Sequence, residues 1–224
     1  MQVFAVRANL DRVVLLVYRL SPTAIAEFLP PGIVPRKVLG AATGGILVAR
    51  RHSIGTRILS RKTDGVYFAV HYVDVIKTSA RSSRYSVFIV RRDTSSRFNT
   101  WLDRWTPQFG PHHASFQFRE DGPVIDLDAL SDDHEMKLRF RGQLAPRLPS
   151  SSLFTSIAQA CNLLQDGLVR LEVISSRQID SPSRPGREER TAIKHARFDS
   201  AFWLRNVEYL WQDKKQFCCD VAPA

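Results

Sequence analysis

Apolar residues along this chain recur mostly at every second position, or fill short runs, and only two stretches show a helical repeat. Val13 to Arg19, "VVLLVYR", is a β-prone run, and Gly65 to Asp74, "GVYFAVHYVD", is the clearest strand. Arg84 to Val90 and Ala114 to Arg119 follow as further strands. Glu135 to Arg141 alternates Met136, Leu138 and Phe140 against Lys137, Arg139 and Arg141, the period of a half-exposed strand. "LVRLEVISSRQI" adds another, and "HARFDSAFW" and "VEYLW" read as two more. The segment between the strands at 114–119 and 135–141, "EDGPVIDLDALSDDH", reads as turn-rich and acidic.

The helical signals are local. Ser21 is placed to cap a short helix, with Pro22 at its first position and Pro30-Pro31-Gly32 ending it. "RLPSSSLFTSIAQACNLLQDG" predicts a serine-capped helix with Ile157, Cys161 and Leu164 on one face and Gly167 just past its end. "GAATGG" at Gly40–Gly45 lacks the order of a dinucleotide fingerprint and predicts close strand packing instead. Asp180 to Arg190, with no apolar residue, predicts a flexible loop. Many strands and two or three helices without regular alternation predict an α+β, mostly β fold, an antiparallel barrel or sandwich with peripheral helices. At 224 residues, one domain over 1–224 is expected.

Composition changes the picture little. Hydrophobic residues at 44% and charged residues at 24% are those of a globular domain. No apolar run is long enough for a membrane span and the first residues lack a signal-peptide layout, so a cytoplasmic protein without a membrane partner is expected. Cys161, Cys218 and Cys219 have no disulfide-framework or zinc spacing, and no metal or cofactor is expected. The net charge of +10 permits contact with nucleic acid, but the basic residues are scattered and no nucleic-acid-binding signature is present. Nucleic acid is therefore disfavoured as a partner. A homo-oligomer is compatible with the sequence.

The candidate chemistry centres on "FIVRRDTSSRFN", where an apolar strand delivers Arg91, Arg92, Asp93 and Arg97 beside three hydroxyls. Asp93 can hold one arginine and leave another for an anion. The same residues also make an ordinary basic turn that closes on its own backbone. His112 and His113 are the only residues we would name as a base. As strand neighbours they point to opposite faces, and the sequence leaves open which points inward. His71 shares a face with Val73, and Tyr72 with Asp74. Tyr67 and Tyr72 are further ligand-lining candidates. Lys77 would need a depressed pKa to act as an imine-forming nucleophile, and reads more simply as an exposed lysine.

"LVYRLSPTAIAEFLPPGIVPRKVLGAATGGILVAR", "GVYFAVHYVD", "FIVRRDTSSRFN…PHHASF" and the closing "ARFDSAFWLRNVEYLW" together resemble the YqjF-like branch of the acetoacetate-decarboxylase-like superfamily, a family of unknown function. The resemblance runs over roughly residues 10 to 215 and implies an antiparallel β-barrel or cone around an apolar cavity, with peripheral helices. It does not imply decarboxylation. That chemistry uses a lysine whose pKa is lowered by a second lysine. The matching region here, Ser79 to Asp93, holds arginines and no lysine, and the one Lys-Lys pair, Lys214-Lys215, is far along the chain. The expectation is a protein that binds a small carboxylic acid or similar anion in the cavity through Arg91, Arg92, Asp93 and Arg97. Two alternatives are a lyase or hydrolase acting on a keto acid, and a basic nucleic-acid-associated or structural oligomer.

Overall fold

The computed structural model describes residues 5–27, 29–56, 60–79, 82–97, 100, 112–160, 172–180 and 196–212. The predicted loop at 180–190 falls almost wholly outside them, as do all three cysteines and the Lys214-Lys215 pair. Eleven strands and one short helix have defined bounds. They are β1 (Ala5–Leu20), α1 (Pro22–Ala26), β2 (Ile33–Pro35), β3 (Lys37–Val38), β4 (Ala41–Thr56), β5 (Ser60–Ser79), β6 (Ser82–Thr94), β7 (His112–Asp121), β8 (Val124–Ser131), β9 (Lys137–Ala145), β10 (Glu172–Asp180) and β11 (Arg197–Gln212).

The strands form one sheet in the order β2-β5-β6-β7-β8-β9-β10-β11-β1-β4-β3, and β5 also pairs with β4. Nine strands thus follow one another round a ring of pairings, with β2 and β3 as short edge pieces. The ring is not a sealed tube. β6 and β7 share two residue pairs and β10 and β11 share three. The β6–β7 pair is parallel, so the sheet is mixed where the sequence suggested an antiparallel one.

Three further expectations are corrected or sharpened. The acidic segment after β7 is a strand, β8, and not a turn-rich connection. Its Ile125, Leu127 and Ala129 are buried, while Asp126 and Asp128 lie opposite Arg141 and Arg139 of β9. Arg139 Nε and Asp128 Oδ1 are 3.2 Å apart. Each such cross-strand pair contributes ~0.2–1 kcal/mol, which removes the objection to carboxylates in a strand. Residues 197–203 of "HARFDSAFW" and the whole of "VEYLW" belong to one continuous strand, β11, because it pairs along β1 over nearly its whole length. The β9 region keeps its predicted alternation, with Met136, Leu138 and Phe140 buried and Lys137, Arg139 and Arg141 exposed.

The local signals act as expected. Ser21 caps α1 by accepting from the Ala24 N–H, with Pro22 in the first turn. Gly32 takes φ +79 in the Pro30-Pro31-Gly32 turn, a conformation open to glycine. Helical residues begin at 157, where Ser156 Oγ accepts from the Gln159 N–H; the rest of the predicted second helix, from Cys161 on, lies outside the described residues. Gly45 is a true close approach: a Cβ there would sit 2.2 Å from the Leu16 carbonyl oxygen.

The core has an inner and an outer part. Val14, Leu16, Ile46, Val48, Ala69, Leu127, Phe140 and Trp203 belong to one cluster drawn from strands on opposite sides of the ring, which is its interior. Leu15, Val17, Ala49, Tyr72 and Phe202 point the other way and pack against Phe154 and Ala160 of the 148–160 segment. Buried Asp199 fastens that segment. It accepts from Arg19 Nε at 2.7 Å, the Leu153 N–H at 2.8 Å, and the hydroxyls of Ser152 and Ser200.

Candidate functional site

Two polar groups face the ring interior, at different levels along the strands. The first is built on the stretch that the sequence singled out. A register shift between His71 and Tyr72 sets Arg91 opposite His71 and Asp93 opposite Ala69. Their side chains share the inner face, because Ile46 and Val48, also inward, lie opposite His71 and Ala69 on the other side.

Arg91 is gripped by three carboxylates. Nη2 donates to Asp93 Oδ1 at 2.7 Å and to Asp133 Oδ1 and Oδ2 at 2.9 Å, Nε donates to Asp93, and Nη1 donates to Glu135 Oε2 at 3.2 Å. Asp133 and Glu135 come from the β8–β9 turn, where Ser131 Oγ donates to Asp133 and the Glu135 N–H donates to it as well. Partial burial pushes the Asp133 carboxyl up, but these hydrogen bonds and Arg91 outweigh it and hold it down to about 2. Asp93 is 1% exposed, and burial raises its pKa against the pull of Arg91. Buried His71 is pushed down to about 4, first by burial and then by the Arg91 charge, so it is neutral at pH 7. Its Nε2 is 3.8 Å from Asp93 Oδ2, beyond hydrogen-bond reach.

Of the other predicted site residues, His112 joins this group through Asp133 and lies opposite Asp93 in the β6–β7 pair, and the rest scatter. Arg92 lies on the opposite face of β6 from Arg91, and Arg97 is exposed past the strand end. His112 Nδ1 is 2.8 Å from Asp133 Oδ2, and His113 Nδ1 is 3.0 Å from Asp132 Oδ2, so each histidine has its own carboxylate. Tyr72 is buried on the outer side with Phe154 and Phe202, where burial and then Asp74 push its hydroxyl well above the usual range. Lys77 is in β5, paired with Ile33 and Arg84. Among the described residues no three His, Cys, Asp or Glu side chains are arranged to hold a metal ion.

The second inward group was not legible as a motif. Arg12 lies opposite Arg50, and Arg50 opposite Tyr67, on neighbouring strands β1, β4 and β5. The Arg50 guanidinium lies over the Tyr67 ring at 5.9 Å, and that of Arg12 over the Phe118 ring at 5.7 Å. Tyr67 stacks against Phe116 and Phe118 with interplanar angles of 16° and 21°, and Phe118 reaches Trp203 at 5.4 Å. β7 neighbours neither β1 nor β11 in the sheet, so these contacts of Phe118 cross the interior. Glu120 Oε2 is 3.7 Å from Arg12 Nε, an ion pair without a hydrogen bond. Arg12, Arg50, Tyr67, Phe116 and Phe118 are all half-buried. One inward level deeper, Val14, Val48 and Ala69 are fully buried. The arginine–aromatic level is therefore less buried than the level next to it on β1, β4 and β5. Of these residues only Tyr67 stood out beforehand, since Arg12 and Arg50 are 38 positions apart.

This fold has counterparts of known structure. An acetoacetate decarboxylase-like enzyme from Sphingomonas wittichii RW1 superposes with a TM-score of 0.52 at 9% identity, over 94% of this chain and 93% of the other. The enduracididine biosynthesis enzyme MppR, complexed with the condensation product of pyruvate and imidazole 4-carboxaldehyde, gives 0.56 at 10%, over 94% and 89%. Acetoacetate decarboxylase from Legionella pneumophila gives 0.51 at 10%, over 91% and 88%. The chain has the acetoacetate-decarboxylase-like fold. No protein-family model and no curated protein sequence matches it. Among the described residues, no helix of this acetoacetate-decarboxylase-like structure is long and apolar enough to cross a membrane.

Proposed function

We propose that this chain is a single cytoplasmic domain that binds a small carboxylic acid, or a similar anion with an apolar body, in the ring interior. The observation that carries this reading is the pair Arg12 and Arg50, inward-facing in register on adjacent strands and set over half-buried aromatic rings. An apolar wall with a few placed polar groups is the general form of a small-molecule site, and guanidinium forks match carboxylates.

The anion end moves from Arg91, where the sequence suggested it, to Arg12 and Arg50. An anion at Arg91 would have to displace Asp93, Asp133 or Glu135, whereas the Glu120–Arg12 contact at 3.7 Å holds no hydrogen bond. MppR has been seen with pyruvate bound, which supports a carboxylate ligand in a fold of this kind. The cations at both levels are guanidiniums, which stay protonated and form no imine, so binding is favoured over Schiff-base decarboxylation.

The test is calorimetric titration of the wild type, Arg12→Ala, Arg50→Ala and Arg97→Ala with a panel of monocarboxylates. We expect binding that weakens tenfold or more in the Arg12 and Arg50 variants, as loss of a charge-assisted bond predicts, and is unchanged in Arg97→Ala. Absence of binding by a folded wild type, or equal binding by all four proteins, would sink the reading.

A further inference from the structure

The ring is joined at two narrow seams, and they are fastened differently. β7 pairs with β8 over eight residues and β8 with β9 over seven, but among the described residues β7 meets β6 only at Asp93–His112 and Thr94–His113. β10 meets β11 at three pairs. Beside the β10–β11 seam, the fully buried Asp199 side chain of β11 holds the chain that follows β9, through the Leu153 N–H and the Ser152 hydroxyl. Water has no access to compete for those bonds. Beside the β6–β7 seam the fastening is Arg91, which donates to Asp133 and Glu135 of the β8–β9 turn. The side chains of these two carboxylates are 31% and 44% exposed, so water and salt compete for Arg91. Arg91 also keeps its bonds from Nε and Nη2 to Asp93, on its own strand, when the turn lets go. The inward residues of β7 nearest the seam are Ala114, which is small, and Phe116 and Phe118, which are half-buried. Moving them uncovers less apolar surface than moving Leu127, Leu138 and Phe140 of β8 and β9, which are fully buried.

We infer that β7, together with the β8–β9 turn, is a hinged edge of the ring: Arg91 latches it, Asp199 anchors its far side, and its opening is the passage from solvent to the ring interior. Elements with few buried contacts and solvent-exposed fastenings open at a lower free energy than the whole domain unfolds. The latch is made of ion pairs from one arginine to two partly exposed carboxylates, so it releases without breaking the sheet on either side of it. The inference does not depend on which ligand occupies the interior, and its test uses none.

The experiment places one thiol at a time on the inner face of the full chain. Ala114→Cys reports on the latched edge and Ala201→Cys, on β11, on the anchored side; both positions are fully buried in the interior cluster. Alkylation by iodoacetamide under native conditions is followed at each position by peptide mass spectrometry, which separates it from reaction at the native cysteines. We expect the thiol at 114 to react about tenfold faster or more, because local opening exposes it and only global unfolding exposes 201. Adding Glu135→Gln should speed the reaction at 114 by about three- to tenfold, the loss of one charge-assisted bond, and leave 201 unchanged. Sodium chloride at about 0.5 M should act in the same direction by screening the latch. Equal rates at the two positions would overturn the inference, and so would a Glu135→Gln or salt effect that is the same at both. Where Ala114→Cys fails to fold, Ala69→Cys is the second reporter, since Ala69 lies opposite Asp93 on the other side of the same seam and is also fully buried.

Discussion

Arg91 and Arg12 both face the interior of one ring, and they differ in how tightly carboxylates hold them. Arg91 is held by Asp93, Asp133 and Glu135 at 2.7 to 3.2 Å. Arg12 leans on a phenylalanine ring, with its carboxylate partner at 3.7 Å. The first arrangement closes a strand pair and ties the β8–β9 turn to β6. The second leaves an arginine able to exchange partners. Arginine density along the sequence therefore says little about where an anion binds. What matters is how many acceptors the fold already brings to each guanidinium.

The sharpest way to break the comparison is to remove each arginine and read stability. Arg91→Ala leaves Asp93 buried without its cation, and stranding one partner of a buried pair costs about 3–5 kcal/mol. Arg12→Ala removes a half-buried side chain with one loose ion pair, and should cost no more than about 1 kcal/mol. Urea denaturation of both variants measures the difference. Equal losses would mean that the Arg91 group is not a brace.

Next in size is the pH dependence of stability. His71 has a folded pKa of about 4, below its usual 6.5. A depressed value means that stability is fully present above pH 6.5 and is lost as pH falls toward 4. Asp74, on the outer face, has a folded pKa of about 6, raised from 3.8 by burial against the hydrogen bond with Thr43 and the charge of Arg36. A raised value means that stability is fully present below pH 3.8 and is lost as pH rises through 6. Each amounts to about 3 kcal/mol across its window. The two slopes oppose one another between pH 4 and 6, so they partly cancel there in the wild type. His71→Gln should then lose stability as pH rises from 4 to 6, and Asp74→Asn should gain it. Denaturation midpoints at pH 4, 5 and 6 check both signs. Slopes of the same sign in the two variants would contradict the assignment.

The smallest expected effect is at Arg97, exposed beyond β6. Arg97→Ala should change stability by less than about 0.5 kcal/mol, as a thermal melt will show. A larger loss would place Arg97 with the brace and extend it past the strand.

Much of the fold was readable because its signals are local. The Ser21 cap, the Pro30-Pro31-Gly32 stop and the alternation in β9 depend on near neighbours alone. So did the opposed faces of His112 and His113. The strand β8 was hidden because its aspartates are stabilised by arginines of β9, a partner that single-strand propensity does not see. The length of β11 was hidden likewise, since its continuity comes from pairing along β1.

By itself the sequence determined a mostly β chain, its short capped helices, the glycines where backbones meet, and the absence of a lysine in the arginine-rich stretch. Those properties are carried by residue type and spacing of a few positions. Only the tertiary structure decided which groups each arginine meets. Arg91 meets Asp133 and Glu135 only because the β8–β9 turn folds over β6. Arg12 and Arg50 meet Tyr67 and Phe118 only because the strands close round on one another. The physical reason is range. Caps and alternation act within a few residues, whereas the satisfaction of a buried charge depends on groups brought together from distant parts of the chain.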